Sequence, residues 1–180
     1  MKFCSPLVVI LLLVLFVSLP HFNNASVLSD ACSKAAANDI KINRDFCLTS
    51  LQVDPKSASA NLTDLFHISI NLSITNTTRA ISHIRYLLSN SAYAHLKDDL
   101  SFCQDQYTEA IGCLYGAIKQ VRLSSNDDHT NVNWIITEAM TAMDDCEDES
   151  SNKSILSKER GNAFQLCAMA LNFLNNFRKL

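Results

Sequence analysis

Apolar residues recur along two stretches of this chain at spacings that alternate between three and four. That alternation is typical of helices that pack in a left-handed bundle and turn one apolar seam toward a shared core. The first seam consists of Leu96, Leu100, Cys103, Tyr107, Ala110, Leu114, Ala117 and Val121. The second consists of Val132, Ile136, Ala139, Met143 and Cys146. Because Cys103 and Cys146 lie on these two seams, they can meet inside the bundle and form a disulfide in an oxidising compartment.

The rest of the chain is also predicted to be helical. Strand-rich folds need more turn residues than the 3 glycines and 3 prolines of this sequence. Helices are predicted over residues 27–37, 43–51, 57–88, 92–123, 131–148 and 157–177. The last of them has a seam of Ala163, Cys167, Ala170, Leu174 and Phe177. The sequence therefore predicts an all-α protein, with an up-down-up-down four-helix bundle over 57–180 and a helical hairpin over 26–56.

The first 25 residues are predicted to be a signal peptide. Lys2 supplies the positive charge, and an apolar run over 7–19 forms the core of the peptide. That run is too short to span a bilayer, which takes about 20 residues, so a membrane anchor is the less favoured interpretation. Cleavage is placed near Ala25 or Ser26, and we expect the mature chain to be secreted.

Six of the 7 cysteines follow the predicted leader, and an even number suits an oxidising compartment. Cys32 and Cys47 are placed to close the N-terminal hairpin, which has little core of its own and therefore needs a covalent brace. Cys113 and Cys167 are left over. They form a third disulfide or supply a reactive thiol, or they are buried thiols that pack as small apolar groups.

The charge of the chain argues against nucleic acid as a partner. The formal net charge is −3, and no basic stripe is present that could neutralise phosphates. Four sequons for N-glycosylation follow the predicted leader, and we expect only some of them to be used. Their acceptors are Asn61, Asn71, Asn76 and Asn152.

No pattern in the sequence predicts catalysis, a metal site or a cofactor. The motifs of serine hydrolases, zinc proteases and phosphate-binding loops are missing from the sequence. His67 and His83 lie too far apart on one predicted helix to share a ligand. The acidic run over 144–149 is interpreted as a solvated helix end, because a helix splays successive carboxylates apart and calcium needs six or more converging oxygens.

Two further features receive structural interpretations. Gly112 and Gly116 have the spacing that allows close helix approach, and in a soluble bundle they are expected to make room for a bulky neighbour. Trp134 lies near the start of a predicted helix and is expected to belong to the core or to cover the end of the bundle.

Several segments of the chain together resemble one known family. They are Cys32 with Cys47, the stretch 54–57 that leads into a long helix, 99–103 up to Cys103, 139–142 before Cys146, and 164–171 in the last helix. With these neighbours, the four-cysteine framework resembles the plant invertase and pectin methylesterase inhibitor family. The residues from Phe46 to Ser57 are most similar to the branch of invertase inhibitors that includes pollen allergens.

The resemblance implies a four-helix bundle with an N-terminal hairpin and the disulfides Cys32–Cys47 and Cys103–Cys146. It also implies an unpaired Cys167 and a non-enzymatic role. The implied function is to block the active-site cleft of a cell-wall or vacuolar invertase, or of a pectin methylesterase, from the cell wall or possibly the vacuole. The alternative from another class is an extracellular ligand-binding bundle, such as a lipid carrier or a signalling module.

One loop departs from the family's pattern. Invertase inhibitors of known mode present Pro-Lys-Phe between the two cysteine helices, whereas Asp127, Asp128 and His129 stand about there in this chain. Because glycosidase pockets are lined by carboxylates, two aspartates in that loop should be repelled. A pectin methylesterase would instead meet a helix face of the bundle, within residues 60–88 and 92–121.

Overall fold

The chain is mainly helical in the residues that the computed structural model describes, which are 27–123, 130–149 and 155–176. No β-strand occurs in these ranges, and the predicted all-α class is confirmed. Two short helices come first, α1 (Val27–Asn38) and α2 (Arg44–Leu51). Long helices follow as α3 (Leu62–Ser89), α4 (Lys97–Leu123), α5 (Thr130–Glu149) and α6 (Ser157–Asn176). The predicted leader over 1–25 lies outside the described residues.

The first long helix begins later than the sequence pattern predicted. The Asn61 side chain accepts a hydrogen bond from the backbone N–H of Asp64 at 2.9 Å, and the Asp64 carboxylate accepts one from the Asn61 N–H at 3.2 Å. This reciprocal capping box fixes the start of α3 at Leu62. The predicted start near residue 57 falls in a short 3₁₀ helix, Pro55–Ser59, that is capped by Asp54.

The second long helix also begins later than predicted, and for a similar reason. The Asn90 side chain accepts a hydrogen bond from the Ala92 N–H at 3.0 Å and starts a 3₁₀ helix, Ser91–Leu96. Within it Tyr93 leaves helical geometry, with φ −105° and ψ 15°. The predicted start at residue 92 is therefore wrong, and α4 begins at Lys97 after the chain has changed direction.

The seams that were read from the sequence form the core. Every predicted seam residue of α4 is buried except Val121, which is half-buried. All five seam residues of α5 are buried, as are those of α6 within its described range. Spacing alone therefore identified the apolar faces of these three helices.

Three packed pairs of long helices run antiparallel. In each packed pair, residues that meet have numbers that rise along one helix and fall along the other. The pairs are Ser73 with Cys167 and His83 with Glu159 for α3 and α6, Cys103 with Cys146 and Gly116 with Ile135 for α4 and α5, and Asn133 with Asn175 and Asp144 with Arg160 for α5 and α6.

The N-terminal hairpin of α1 and α2 is fastened to the bundle. A disulfide joins Cys32 and Cys47, whose Cα atoms lie 5.7 Å apart. The backbone N–H of Asn43 donates to the Gln165 side chain at 3.1 Å, which ties the hairpin to α6. Buried residues of α1 such as Leu28 belong to the same core cluster as the long helices. The boundary between a hairpin over 26–56 and a four-helix bundle over 57–180 stays a prediction.

Candidate functional site

The described histidines do not form a catalytic group. His67 packs edge-on against the ring of Phe66, and its pKa is lowered by burial and then by the charge of Arg122. The Nδ1 atom of His83 lies 2.9 Å from a carboxylate oxygen of Glu159, within hydrogen-bond distance, and this contact joins α3 to α6. Within the described ranges, no cluster of three or more histidine, cysteine or acidic side chains could hold a metal ion.

The cysteines divide into two structural classes. Cys103 and Cys146 form a disulfide across the seams of α4 and α5, with Cα atoms 4.6 Å apart. Cys113 and Cys167 are free thiols, the first half-buried and the second buried. Since both thiols are free, the interpretation of these two residues as a third disulfide is wrong. The hairpin of α4 and α5 is thus one covalently joined unit.

Negative charge is concentrated on α5. This helix has six acidic residues and no lysine or arginine: Glu138, Asp144, Asp145, Glu147, Asp148 and Glu149. By contrast α3, which is longer, contains one aspartate and two arginines. The described helices therefore differ strongly in sign, and the negative potential of the protein comes chiefly from one edge of the bundle.

Two of these acidic residues have a structural role. Arg160 of α6 forms ion pairs with Asp144 and with Glu147, the latter at 2.9 Å. The guanidinium also lies over the ring of Phe164, 5.0 Å from its centre. The acidic run was interpreted as a solvated helix end, and for this pair of residues that interpretation is wrong. Arg160 instead fastens α5 to α6.

Asp145 and Asp148 of α5 and several exposed residues of α4 form an outward surface on the α4–α5 hairpin. Residues 3, 4 or 7 apart share one face of a helix, and exposed residues recur at those spacings on both α4 and α5. We call this surface the acidic hairpin face. It consists of Asp98, Phe102, Asp105 and Glu109 on α4, and of Trp134, Thr141, Asp145 and Asp148 on α5.

One end of the acidic hairpin face is a groove between the two helices. The groove has a volume of about 660 Å³ and is lined by Asp98, Asp99, Phe102, Asp145 and Asp148. The Phe102 side chain is 38% exposed there. Carboxylates of both helices therefore surround an accessible aromatic ring next to the Cys103–Cys146 disulfide.

The other end of this face is marked by a tryptophan that the sequence interpretation misplaced. Trp134 was expected in the core or over the end of the bundle, yet it is 64% exposed. Its spacing from the seam residues Val132 and Ile136 contained the correct signal, since a residue midway between two seam positions points to the opposite side of the helix. An exposed indole is unusual on a surface without a partner and is typical of interface anchors.

The solvent side of α3 has a different chemical character. Its exposed residues include the small neutral side chains Asn71, Thr75, Thr78 and Ser82, together with Arg79, Arg85 and Tyr86. Three of the four predicted glycosylation acceptors lie on this helix or at its cap, at Asn61, Asn71 and Asn76. The bundle therefore presents one acidic and aromatic face on α4 and α5, whereas α3 carries three of the sequons and exposes two arginines.

Other predicted site residues lie outside the described residues. These are the loop residues Asp127, Asp128 and His129 and the sequon acceptor Asn152. Within the described ranges, no helix is both long and apolar enough to span a membrane.

A family model described as "Plant invertase/pectin methylesterase inhibitor" matches residues 26–173. A Platanus orientalis protein named "Putative invertase inhibitor" is 31% identical over 152 residues, which covers 82% of this chain and 88% of that protein. An Actinidia deliciosa protein named "Pectinesterase inhibitor" is 30% identical over 155 residues, covering 82% and 78% of the two chains.

Similarity extends to a solved structure. The crystal structure of a mutant form of a pectin methylesterase inhibitor from Arabidopsis superposes with a TM-score of 0.65 at 25% sequence identity. The match covers 83% of this chain and 96% of the other. Both the fold and the sequence are thus similar to proteins whose names describe inhibitors of carbohydrate-active enzymes.

Proposed function

This chain belongs to the plant invertase/pectin methylesterase inhibitor family, and from that membership we propose that it inhibits a pectin methylesterase by docking its acidic hairpin face against the enzyme. As a member of the family it is a proteinaceous inhibitor and not an enzyme. The choice of target and of docking face is the new step, and the proposed face on α4 and α5 replaces the one expected from the sequence within residues 60–88 and 92–121. The observation that carries it is the concentration of carboxylates and exposed aromatic rings on α4 and α5.

The chemistry of the target's substrate supports this choice. A pectin methylesterase removes methyl esters from a polysaccharide and leaves a carboxylate on each sugar that it processes. Its binding cleft must therefore accept a chain of negative charges. Asp105, Glu109 and Asp145 present such charges on a rigid scaffold, and potentials of opposite sign across an interface speed up encounter and fix its register.

The exposed aromatic rings supply binding energy that surface carboxylates alone do not provide. Aromatic side chains are enriched among the residues that contribute most to binding, whereas isolated surface carboxylates contribute little. Phe102 and Trp134 lie toward opposite ends of the face, on the two helices that the Cys103–Cys146 disulfide joins. Because the scaffold is already ordered, little conformational entropy is lost when it docks.

An invertase is the second candidate target, since the Platanus orientalis relative is named an invertase inhibitor. Sucrose is neutral, and glycosidase pockets bind it with carboxylates of their own. Asp127 and Asp128 in the loop between α4 and α5 would bring like charges to that pocket. The charge pattern therefore favours the pectin methylesterase.

We further propose that the protein acts in the cell wall after secretion. The signal-like leader, two disulfides and several sequons support passage through an oxidising secretory pathway. The alternative of a lipid carrier is not favoured, because buried side chains fill the seams where an apolar ligand would have to lie.

Titration against both enzymes at mildly acidic pH tests the proposal. We expect loss of pectin methylesterase activity at micromolar or lower inhibitor and little loss of invertase activity. The double variant Asp105→Lys/Asp145→Lys should raise the inhibition constant about tenfold or more, and added salt should reduce that difference.

The matched control is Asp30→Lys, which changes an exposed acidic residue on α1, outside the acidic hairpin face. It should leave the inhibition constant within about twofold of the unmodified protein's, because rim charges far from a contact contribute little. Equal weakening by both variants, or weakening by neither, would contradict the assignment of the docking face. Inhibition of invertase alone would contradict the choice of target.

A further inference from the structure

The sequons of the described residues are confined to one side of the bundle. Asn61 caps α3, and Asn71 and Asn76 lie within it. The sequences of α4, α5 and α6 contain no N-x-S/T triplet. Any glycans at these three positions would therefore project from α3, whereas the acidic hairpin face on α4 and α5 has no acceptor.

The three acceptor side chains differ in how the fold uses them. Asn61 is exposed, and the capping box uses its side-chain oxygen to accept from the Asp64 N–H at 2.9 Å. A sugar on the Nδ2 nitrogen of Asn61 leaves that cap intact. Asn71 is also exposed, on the solvent side of α3, where a bulky group meets no neighbouring helix.

Asn76 is in a different situation. Its side chain is half-buried, and its Nδ2 nitrogen donates a hydrogen bond to the Leu72 carbonyl at 2.9 Å. It also lines a groove between α2, α3 and α6, together with Phe46, Arg79 and Leu166. A glycan attached to this nitrogen would have to pass between packed helices, and the fold would lose side-chain contacts to make room for it.

We propose that Asn61 and Asn71 carry N-linked glycans and that Asn76 is not modified, so that the sugar on α3 covers the solvent side of its N-terminal half and lies away from the acidic hairpin face. The two acceptors are separated by about 15 Å along the helix axis at 1.5 Å per residue. Two bulky, hydrated glycans at that spacing shield the outer side of the N-terminal half of α3. The statement about docking rests on the proposed function, whereas the statement about occupancy does not.

Glycopeptide mapping of the protein secreted from plant or insect cells tests the occupancy. We expect glycosylated peptides at Asn61 and Asn71 and an unmodified peptide at Asn76. Asn61→Gln and Asn71→Gln should each remove the mass of one glycan from the intact protein, and Asn76→Gln should remove none. A glycan at Asn76, or a bare Asn61 or Asn71, would overturn the assignment.

A second measurement tests the consequence for docking. Enzymatic removal of the glycans from the folded protein should leave the inhibition constant for pectin methylesterase within about twofold, because the acidic hairpin face carries no sugar. A marked gain in affinity on removal would show that a glycan obstructs docking and would overturn the second half of the proposal. Mapping needs no target enzyme, so a wrong target assignment and a wrong occupancy assignment are distinguishable.

Discussion

Ser73 and Cys167 meet in the core, where the serine Oγ and the cysteine Sγ lie 3.1 Å apart. The serine hydroxyl also lies 3.2 Å from the Ala163 carbonyl oxygen and donates to it, which leaves the thiol as the donor to the hydroxyl. Two polar groups that would be costly to bury alone thus satisfy each other between α3 and α6. Burial raises the pKa of Cys167 to about 12.

The two free thiols should differ in reactivity toward a maleimide. The thiolate is the reactive form, and Cys167 is both shielded from solvent and held protonated, so we expect no labelling of it in the folded protein. Cys113 is half-buried and should label slowly, since burial, Glu109 and Glu138 raise its pKa. Mass spectrometry of native and urea-unfolded samples measures this. Rapid native labelling of Cys167, or fewer than two thiols after unfolding without reductant, would contradict the assignment.

Stability should fall at alkaline pH in a way that depends on Cys167. Its folded-state pKa lies above its ordinary value of 9.0, so the stabilisation is fully present below pH 9 and is lost as pH rises toward 12. Over that window one extra proton in the folded state corresponds to a slope of up to about 1.4 kcal/mol per pH unit. Urea unfolding at several alkaline pH values should show a shallower slope for Cys167→Ala than for the unmodified protein. Equal slopes would indicate that the thiol titrates alike in both states.

The apolar seams could be predicted from the sequence because spacing alone decides which side of a helix turns inward. The first residues of α3 and α4 could not be predicted, because several asparagine, aspartate and serine residues near each start could serve as the N-cap. Asn61 is the N-cap of α3 because it forms a reciprocal pair of hydrogen bonds with Asp64. For α4, the Asn90 side chain and the turn at Tyr93 decide the start.

The acidic hairpin face, which we propose as the docking surface, was harder to predict from the sequence. The acidic run was visible, but its division into residues that bind Arg160 and residues that face solvent depends on how α5 packs against α6. Trp134 was misplaced because a large apolar residue suggests a core position even when the spacing places it outside. The packing of α5 against its neighbours therefore decides which of its acidic and aromatic side chains face solvent, and the spacing pattern was not enough to predict this.

The two disulfides should contribute unequally to stability. Cys32–Cys47 closes a loop of 15 residues and Cys103–Cys146 one of 43. The loop-entropy relation assigns about 3 kcal/mol to the shorter and about 4 kcal/mol to the longer. Urea unfolding of Cys32→Ala/Cys47→Ala and of Cys103→Ala/Cys146→Ala should reproduce that order. A larger loss of stability from removing Cys32–Cys47 would contradict that order. It would indicate that this disulfide stabilises the protein by more than loop closure alone provides.

Gly112 and Gly116 should tolerate alanine. The expectation that they make room for a bulky neighbour is wrong, because a Cβ at Gly112 would meet nothing within 4 Å and one at Gly116 only the Ile135 side chain at 3.7 Å. Alanine is favoured over glycine in a helix interior, so each substitution should raise the free energy of unfolding by about 0.5–1 kcal/mol. Chemical denaturation checks this, and a loss of stability at either position would show that the helices approach more closely there than the structure indicates.

Trp134→Ala should weaken inhibition of pectin methylesterase while leaving the stability of the fold almost unchanged. The indole is 64% exposed, so its removal should change the free energy of unfolding by no more than about 0.5 kcal/mol. If it is a binding anchor, the inhibition constant for pectin methylesterase should rise about tenfold or more, because truncated aromatic anchors commonly cost 1–2 kcal/mol or more. Tyr86→Ala is the matched control, since Tyr86 is an aromatic residue on α3 that is 61% exposed. Equal inhibition by the Trp134 variant and the unmodified protein would remove the tryptophan from the docking surface, whereas a selective loss in the Tyr86 variant would move that surface to α3.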